Sequence, residues 1–337
     1  MFAPFTTTGI GSLPFRDPEE AAVFSLQACD IPFWPQLPKL SFRELMVAQY
    51  SEGLPGVKID EVKERVFIES VNQDELNRFY ERISEDGDFP ISREYARGFY
   101  AFVAELERTE KRFSCLKGQI TGPLTFTLSI KMPDGRYLYF DDEMREVATM
   151  LLQRKAVWQI RELSRYAERV LIFVDEPILT AIGSSSYLGV EPEEVERLLR
   201  ETVSAIRNNG AIAGIHSCGR ADWGMLMRTG ADIINFDAYD YFDNLMIYKE
   251  QLKEFFERGA YLAWGIVPTT EAIRDVEASS VKEMILKEFE LLSEVISLEE
   301  IHKSSLLTPS CGAGSRTVEE ARKVFSILKE IAGELKG

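Results

Sequence analysis

Short apolar runs alternate with longer amphipathic or charged stretches along almost the whole chain. The runs predict strands over 6–11, 30–34, 114–120, 169–175, 211–217, 231–237, 260–267 and 305–309. Between them lie helical patterns at 142–167, 191–208, 241–258, 280–297 and 317–334. Helix starts carry their usual signals. Glu191-Pro192-Glu193-Glu194 places proline and acids in a first turn, and Thr317-Val318-Glu319-Glu320 has the form of a capping box. Eight strands with helices between them predict the α/β class and one eight-stranded parallel β/α barrel of the triosephosphate-isomerase type, a single domain over 1–337. A doubly wound open sheet is the alternative. The segment 35–113 is too long for one connection and predicts extra helices and loops over one face after the second strand. No internal repeat, low-complexity tract or linker interrupts the pattern.

Composition narrows the picture only a little. A chain of 337 residues that is 45% apolar can bury a sizeable core, and no run approaches a membrane span. The stretch Met1–Thr6 lacks a basic segment followed by a hydrophobic one, so no secretion signal is expected. Four cysteines, at 29, 115, 218 and 311, show no disulfide-framework spacing, and a cytoplasmic, reducing location is expected. The net charge of −16 argues against nucleic acid and anionic membranes as partners.

In a barrel of this type, active sites lie at the C-terminal ends of the strands, and the candidate chemistry falls there. Ala213-Gly214-Ile215-His216-Ser217-Cys218-Gly219 ends an apolar run in two metal-type ligands. Leu306-Leu307-Thr308-Pro309-Ser310-Cys311 ends another in a third. One imidazole and two thiolates suit zinc. The strand at 231–237 ends in Asp237, a fourth ligand, with Asp240 as the second choice. Taken singly, each of these residues is as well explained by burial or capping. Val174-Asp175-Glu176-Pro177 sets two acids at a strand end, where they could bind an ammonium group or act as an acid/base pair. Thr8-Gly9-Ile10-Gly11-Ser12 lets backbone approach a ligand closely, so that Ile10, Gly11 and Ser12 could hold a carboxylate. Lys117-Gly118-Gln119-Ile120-Thr121-Gly122-Pro123-Leu124-Thr125 breaks at the same rim. Trp34 and Trp264 also end predicted strands, as pocket walls or plain core.

Taken together and in order, these motifs resemble the C-terminal barrel of cobalamin-independent methionine synthase, in the superfamily that also holds uroporphyrinogen decarboxylase and corrinoid-dependent thiol methyltransferases. Thr7–Pro14 is similar to that family's Thr-Thr-x-Ile-Gly-Ser-hydrophobic-Pro. Lys117–Thr125 resembles its Lys-Gly-x-x-Thr-Gly-Pro-x-Thr, and Val174–Pro177 its Ile-Asp-Glu-Pro. His216-x-Cys218 and Cys311-Gly312 look like its zinc ligands. The resemblance covers nearly the whole chain. It implies a zinc-dependent methyltransferase of methionine biosynthesis with His216, Cys218, Cys311 and Asp237 on the metal. Ile10 to Ser12 would hold the amino acid's carboxylate and Asp175 its ammonium.

Three departures qualify what the resemblance implies. The chain has one barrel's length where the full synthase has two, so a methylcorrinoid protein is the expected donor rather than folate. Asp237 stands where the family has glutamate, one C–C bond longer, roughly 1.5 Å. The family's further substrate-binding glutamate precedes a helix whose nearest segment here is Arg43–Val47, and Lys39-Leu40 before it supplies no acid. Homocysteine is the expected acceptor, with another thiol such as coenzyme M as an alternative. A uroporphyrinogen decarboxylase-like lyase and a non-catalytic zinc barrel that binds a corrinoid protein are the other readings.

Overall fold

The computed structural model describes residues 2–184 and 187–337. Among the described residues nine strands form: β1 Thr6–Thr7, β2 Val57–Asp60, β3 Arg65–Ile68, β4 Leu116–Thr121, β5 Val170–Asp175, β6 Ile212–Ser217, β7 Ile233–Phe236, β8 Tyr261–Val267 and β9 Ser305–Pro309. Seven of them make one sheet in the order β1-β9-β8-β7-β6-β5-β4, every pair parallel. Strands β4, β5, β8 and β9 are buried at every position. A parallel strand covered on both faces reads as an unbroken apolar run, which is why the runs were visible in the sequence. Helices join the strands, among them Pro18–Ala28, Asp142–Leu163, Pro192–Asn208, Ala278–Leu292 and Val318–Lys336. This arrangement fits a barrel of the triosephosphate-isomerase type.

The second expected strand, 30–34, does not form a ladder. Its segment makes isolated parallel bridges only: Ile31 with Thr8, Phe33 with Lys117 and Gln36 with Ser12. The cause is in the sequence. Pro32 and Pro35 have no N–H to donate, so alternate ladder bonds cannot form. The remaining groups still bond where they can. Ile31 N donates to Thr7 O at 2.9 Å, and Pro32 O accepts from Lys117 N at 2.8 Å. The first strand is likewise shorter than 6–11. Gly9 lies against the Phe33 ring, where a Cβ would come within 2.3 Å.

The long connection carries helices at Met46–Ser51, Gln73–Ser84 and Arg97–Thr109, and an unexpected antiparallel pair, β2 with β3. The pattern at 241–258 divides into Ala238–Leu245, a 3-10 turn and Lys249–Glu257. The capping box at Thr317 and Glu320 is made. Both tryptophans at strand ends are core. Trp34 Nε1 donates to Gln159 Oε1 at 2.8 Å and Trp264 Nε1 to Ser305 Oγ at 2.9 Å, and neither ring is exposed. Among the described residues no helix is long and apolar enough to cross a membrane.

Candidate metal and substrate site

A cavity of about 290 Å³ opens at the C-terminal ends of the strands. Of the residues singled out in the sequence, Ile10, Ser12, Asp175, His216, Cys218 and Cys311 line it. Four sequence-distant turns therefore meet at one place. Glycines make the meeting possible: a Cβ at Gly312 would lie 2.1 Å from Ser12 Oγ, and one at Gly11 would lie 2.8 Å from Gln36 Oε1.

His216, Cys218 and Cys311 form a group whose ligand atoms all lie within 4.8 Å of one another and could hold a metal ion. The imidazole's orientation is fixed from behind. Asn235 Nδ2 donates to Ala263 O and to Thr308 Oγ1, both at 2.8 Å. A backbone carbonyl can only accept, so the amide nitrogen must face it and Asn235 Oδ1 must face His216 Nδ1, 2.5 Å away. Nδ1 therefore carries a proton, and Nε2 faces Cys311 Sγ at 3.8 Å. This is the outer support that a metal-binding histidine requires. The two thiols divide one proton unequally. The Cys311 thiol donates to Cys218 and, with His216, holds Cys218 down at about 4 against the opposing effect of burial. Cys311 is correspondingly pushed well above the ordinary thiol range by the Cys218 sulfur and by burial. A set with one thiolate already favoured, a second thiol and an imidazole nitrogen is chemically suited to a soft divalent ion.

Asp175 supplies the second feature. It is buried, and its Oδ1 has no hydrogen-bond partner among the described residues. Burial raises its carboxyl to about 6, with His216 and Lys117 pulling the other way. Glu44 is a second buried carboxyl on the cavity wall. The acid that Lys39-Leu40 does not supply thus comes from the Phe42–Glu44 turn itself. Glu44 Oε1 accepts from Arg97 N at 2.7 Å, and burial raises the group to about 7. Nothing local in Arg43-Glu44-Leu45 marks the acid as buried. Arg97, which binds it, is more than fifty residues away. Among the described residues that line the cavity, none is lysine or arginine. Lys117, on β4, is fully buried, with Nζ donating to Ile10 O at 2.5 Å and standing 4.5 Å from the centre of the Phe173 ring.

Gly11, Glu176, Asp237 and Asp240 do not line the cavity. Glu176 faces the other way and is wholly buried. Its carboxylate accepts from Leu124 N at 2.9 Å, Thr125 N at 2.8 Å and Thr125 Oγ1 at 2.6 Å, closing the start of the Pro123–Thr127 turn. An acid with its oxygens so occupied is a cap, not an acid/base partner for Asp175. Asp237 lies outside the three-residue metal group. Its Oδ1 accepts from Asp240 N at 3.0 Å and caps the helix Ala238–Leu245. The short side chain folds back onto the adjacent helix start, which aspartate at that position favours. Asp240 is an exposed residue of that helix's first turn.

Buried acids give the metal-free protein a distinctive pH response. Burial raises Glu44 and Asp237 to about 7, Glu176 to about 7, Asp175 to about 6 and Glu288 to about 8. A carboxyl raised on folding contributes stability that is complete below its unfolded value and is lost as pH rises through its folded value. Between pH 5 and 7 these five carboxyls bind more protons in the folded chain than in the unfolded one, which outweighs the one proton that Cys218 gives up. The urea midpoint of the metal-free protein is expected to fall across that window. Each tenfold difference in proton affinity between the folded and unfolded chain is worth about 1.4 kcal/mol. A midpoint that rises from pH 5 to pH 7 contradicts this account.

The fold has solved counterparts. One is a B12-independent methionine synthase from Shewanella sp. W3-18-1 in complex with selenomethionine, at TM-score 0.60 and 15% identity, covering 99% of this chain and 98% of that one. Another is a methyltransferase from Methanosarcina mazei, at TM-score 0.55 and 13% identity, covering 98% and 95%. No protein-family model and no curated protein matches the sequence. The likeness shows the fold. It fits the family resemblance that the four motifs carry, over nearly the same length of chain.

Proposed function

We propose that this chain is a zinc-dependent methyltransferase that moves a methyl group onto the thiol of a small amino acid, homocysteine giving methionine. One observation carries the reading: a His/Cys/Cys metal group and two buried carboxyl groups, Asp175 and Glu44, face one small cavity with no lysine or arginine among the described residues of its wall. The metal end suits a thiol, and the acidic end suits an ammonium group. The Shewanella counterpart was solved with selenomethionine, an amino acid of the matching size and charge. In this reading the bridged segment around Ile31 to Gln36 takes the place of the eighth barrel strand.

His216 Nε2, Cys218 and Cys311 would hold the ion, with Asp237, the residue that follows β7, as the proposed fourth ligand. Bound zinc supplies a lowered thiol pKa, so that sulfur is present as its nucleophilic form at neutral pH. The protein's own groups do the rest. Asp175 and Glu44 take the ammonium. Ser12 and the backbone beside it take the carboxylate. Ile10, Pro38, Leu45, Met46 and Pro177 wall the space between, exclude water and align sulfur with the incoming carbon. The thiol loses its proton, a sulfur–carbon bond forms, and the donor keeps the electron pair of its broken bond to the methyl group. A sulfonate thiol such as coenzyme M, or an acid-rich tetrapyrrole, would meet two carboxylates and no cation in this cavity.

A methylcorrinoid is the proposed donor, and methyltetrahydrofolate is not. Zinc-reconstituted protein given homocysteine is expected to form methionine from methylcobalamin or a methylated corrinoid protein, and none from polyglutamylated methyltetrahydrofolate. Efficient turnover with the folate contradicts the donor assignment. Absence of methionine with every donor contradicts the enzyme itself and favours a non-catalytic barrel.

A further inference from the structure

Gln36 reaches the same cavity from the bridged loop, and its amide has one way round. Gln49 Nε2 donates to Tyr95 O at 2.7 Å, and a backbone carbonyl can only accept. The same nitrogen lies 3.4 Å from Glu44 Oε2. Gln49 Oε1 must therefore face the opposite way, where it meets Gln36 Nε2 at 2.8 Å. Gln36 has its nitrogen committed, and its oxygen is turned toward Gly11, 2.8 Å from where a Cβ would stand. Among the described residues no group donates to that oxygen, although the residue is on the cavity wall. The backbone is held too: Gln36 N donates to Gly11 O at 3.1 Å and Leu13 N to Gln36 O at 2.9 Å. Gln36, Gln49 and Glu44 are all buried, so water does not compete freely for these bonds. An amide at liberty could offer a donor or an acceptor. This one offers an acceptor.

We propose that Gln36 is a specificity-determining residue for the substrate's primary ammonium group, its Oε1 accepting one N–H while Gln49 acts as the positioning residue that keeps the amide so turned. The inference rests on the amino-acid-thiol reading above and deepens it. An ammonium has three N–H donors, and Asp175 with Glu44 leaves one to be placed. The fixed orientation also works against anions. A carboxylate or sulfonate oxygen at the same point would set lone pair against lone pair. The class selected is a thiol or thioether with a primary amine, in preference to its des-amino acid.

Product-side ligands test this without any methyl donor. L-Methionine and 4-(methylthio)butanoate, which lacks only the amine, are titrated calorimetrically into zinc-reconstituted protein. Wild type is expected to prefer L-methionine. Gln36→Met should weaken L-methionine by about tenfold, the worth of one hydrogen bond to a charged group, and leave the des-amino acid unchanged. Gln36→Glu keeps an acceptor oxygen and should restore the preference. Gln49→Met, remote from the ligand, should lower the preference by a smaller factor, because Gln36 can then turn its nitrogen inward. Equal effects on both ligands, or none, with Asp175→Asn still separating them, overturn the proposal and leave the amino-acid reading standing. Wild type that binds both ligands alike overturns that reading and the proposal with it. Should Gln36→Met not fold, Gln36→Glu decides alone: a preference that falls below the wild-type value overturns the proposal.

Discussion

Cys218→Ser is expected to remove bound zinc and methyl transfer together while leaving the fold in place. Cys218 is the thiol of the pair that ionises first, held at about 4 by Cys311 and His216. Serine keeps the volume but cannot supply a thiolate, and hydroxyl oxygen is a poor partner for a soft ion. The loss should exceed the roughly 10- to 100-fold fall in metal affinity that removing an outer partner costs, which is the range expected for Asn235→Ala. The fold should survive, because the buried apolar core does not depend on the metal. Elemental analysis, turnover and thermal melting on one preparation check all three parts. A variant that retains stoichiometric zinc with full turnover contradicts the assignment of Cys218 as a ligand.

Asp175→Asn should raise the homocysteine requirement by about tenfold to a hundredfold, because a hydrogen bond to a charged group is worth roughly 1.5–3 kcal/mol. The wild-type carboxylate has a buried oxygen with no partner among the described residues, an arrangement that costs free energy until a donor arrives. A ligand ammonium is such a donor. A thiol of the same length without the amine never makes the contact, so its requirement should not move. The pH dependence has a definite sign. With the carboxyl raised to about 6, protonation below that value removes the charge, and affinity for the amine should fall as pH drops through 6. Equal losses for amine-bearing and amine-free thiols would make Asp175 a structural group.

What the chain revealed in advance depended on how local the cause was. Strands β4 to β9 could be read directly because burial on both faces writes itself as an apolar run. The segment at 30–34 has the same apolar content, and there Pro32 and Pro35 outweigh it by removing donors. The β2–β3 pair escaped notice because only Val66 and Ile68 are buried in it, too few to show a period. In the site, His216, Cys218 and Cys311 were legible from residue type and from position after a strand. Glu44 was not. Its burial is decided by Arg97 N and Gln49, partners that no local pattern in Arg43-Glu44-Leu45 announces. Glu176 and Asp237 show the converse. Both are acids at strand ends, and both spend oxygens on the first turn of a neighbouring helix or helical turn. Sequence position could not tell a cap from a ligand there, because each role asks for the same residue at the same place.

The central claim is that metal held by His216, Cys218 and Cys311 activates a thiol in this cavity. Proton release on homocysteine binding tests it most directly. A thiol of pKa about 8.5 is only about 3% ionised at pH 7. Calorimetric titrations in two buffers of different ionisation enthalpy, with zinc-reconstituted and metal-free protein, give the number of protons released. The account predicts about one proton per homocysteine with zinc, since the metal-bound form of a thiol is the deprotonated one, and close to none without it. Equal release with and without zinc, or none in either, would contradict it.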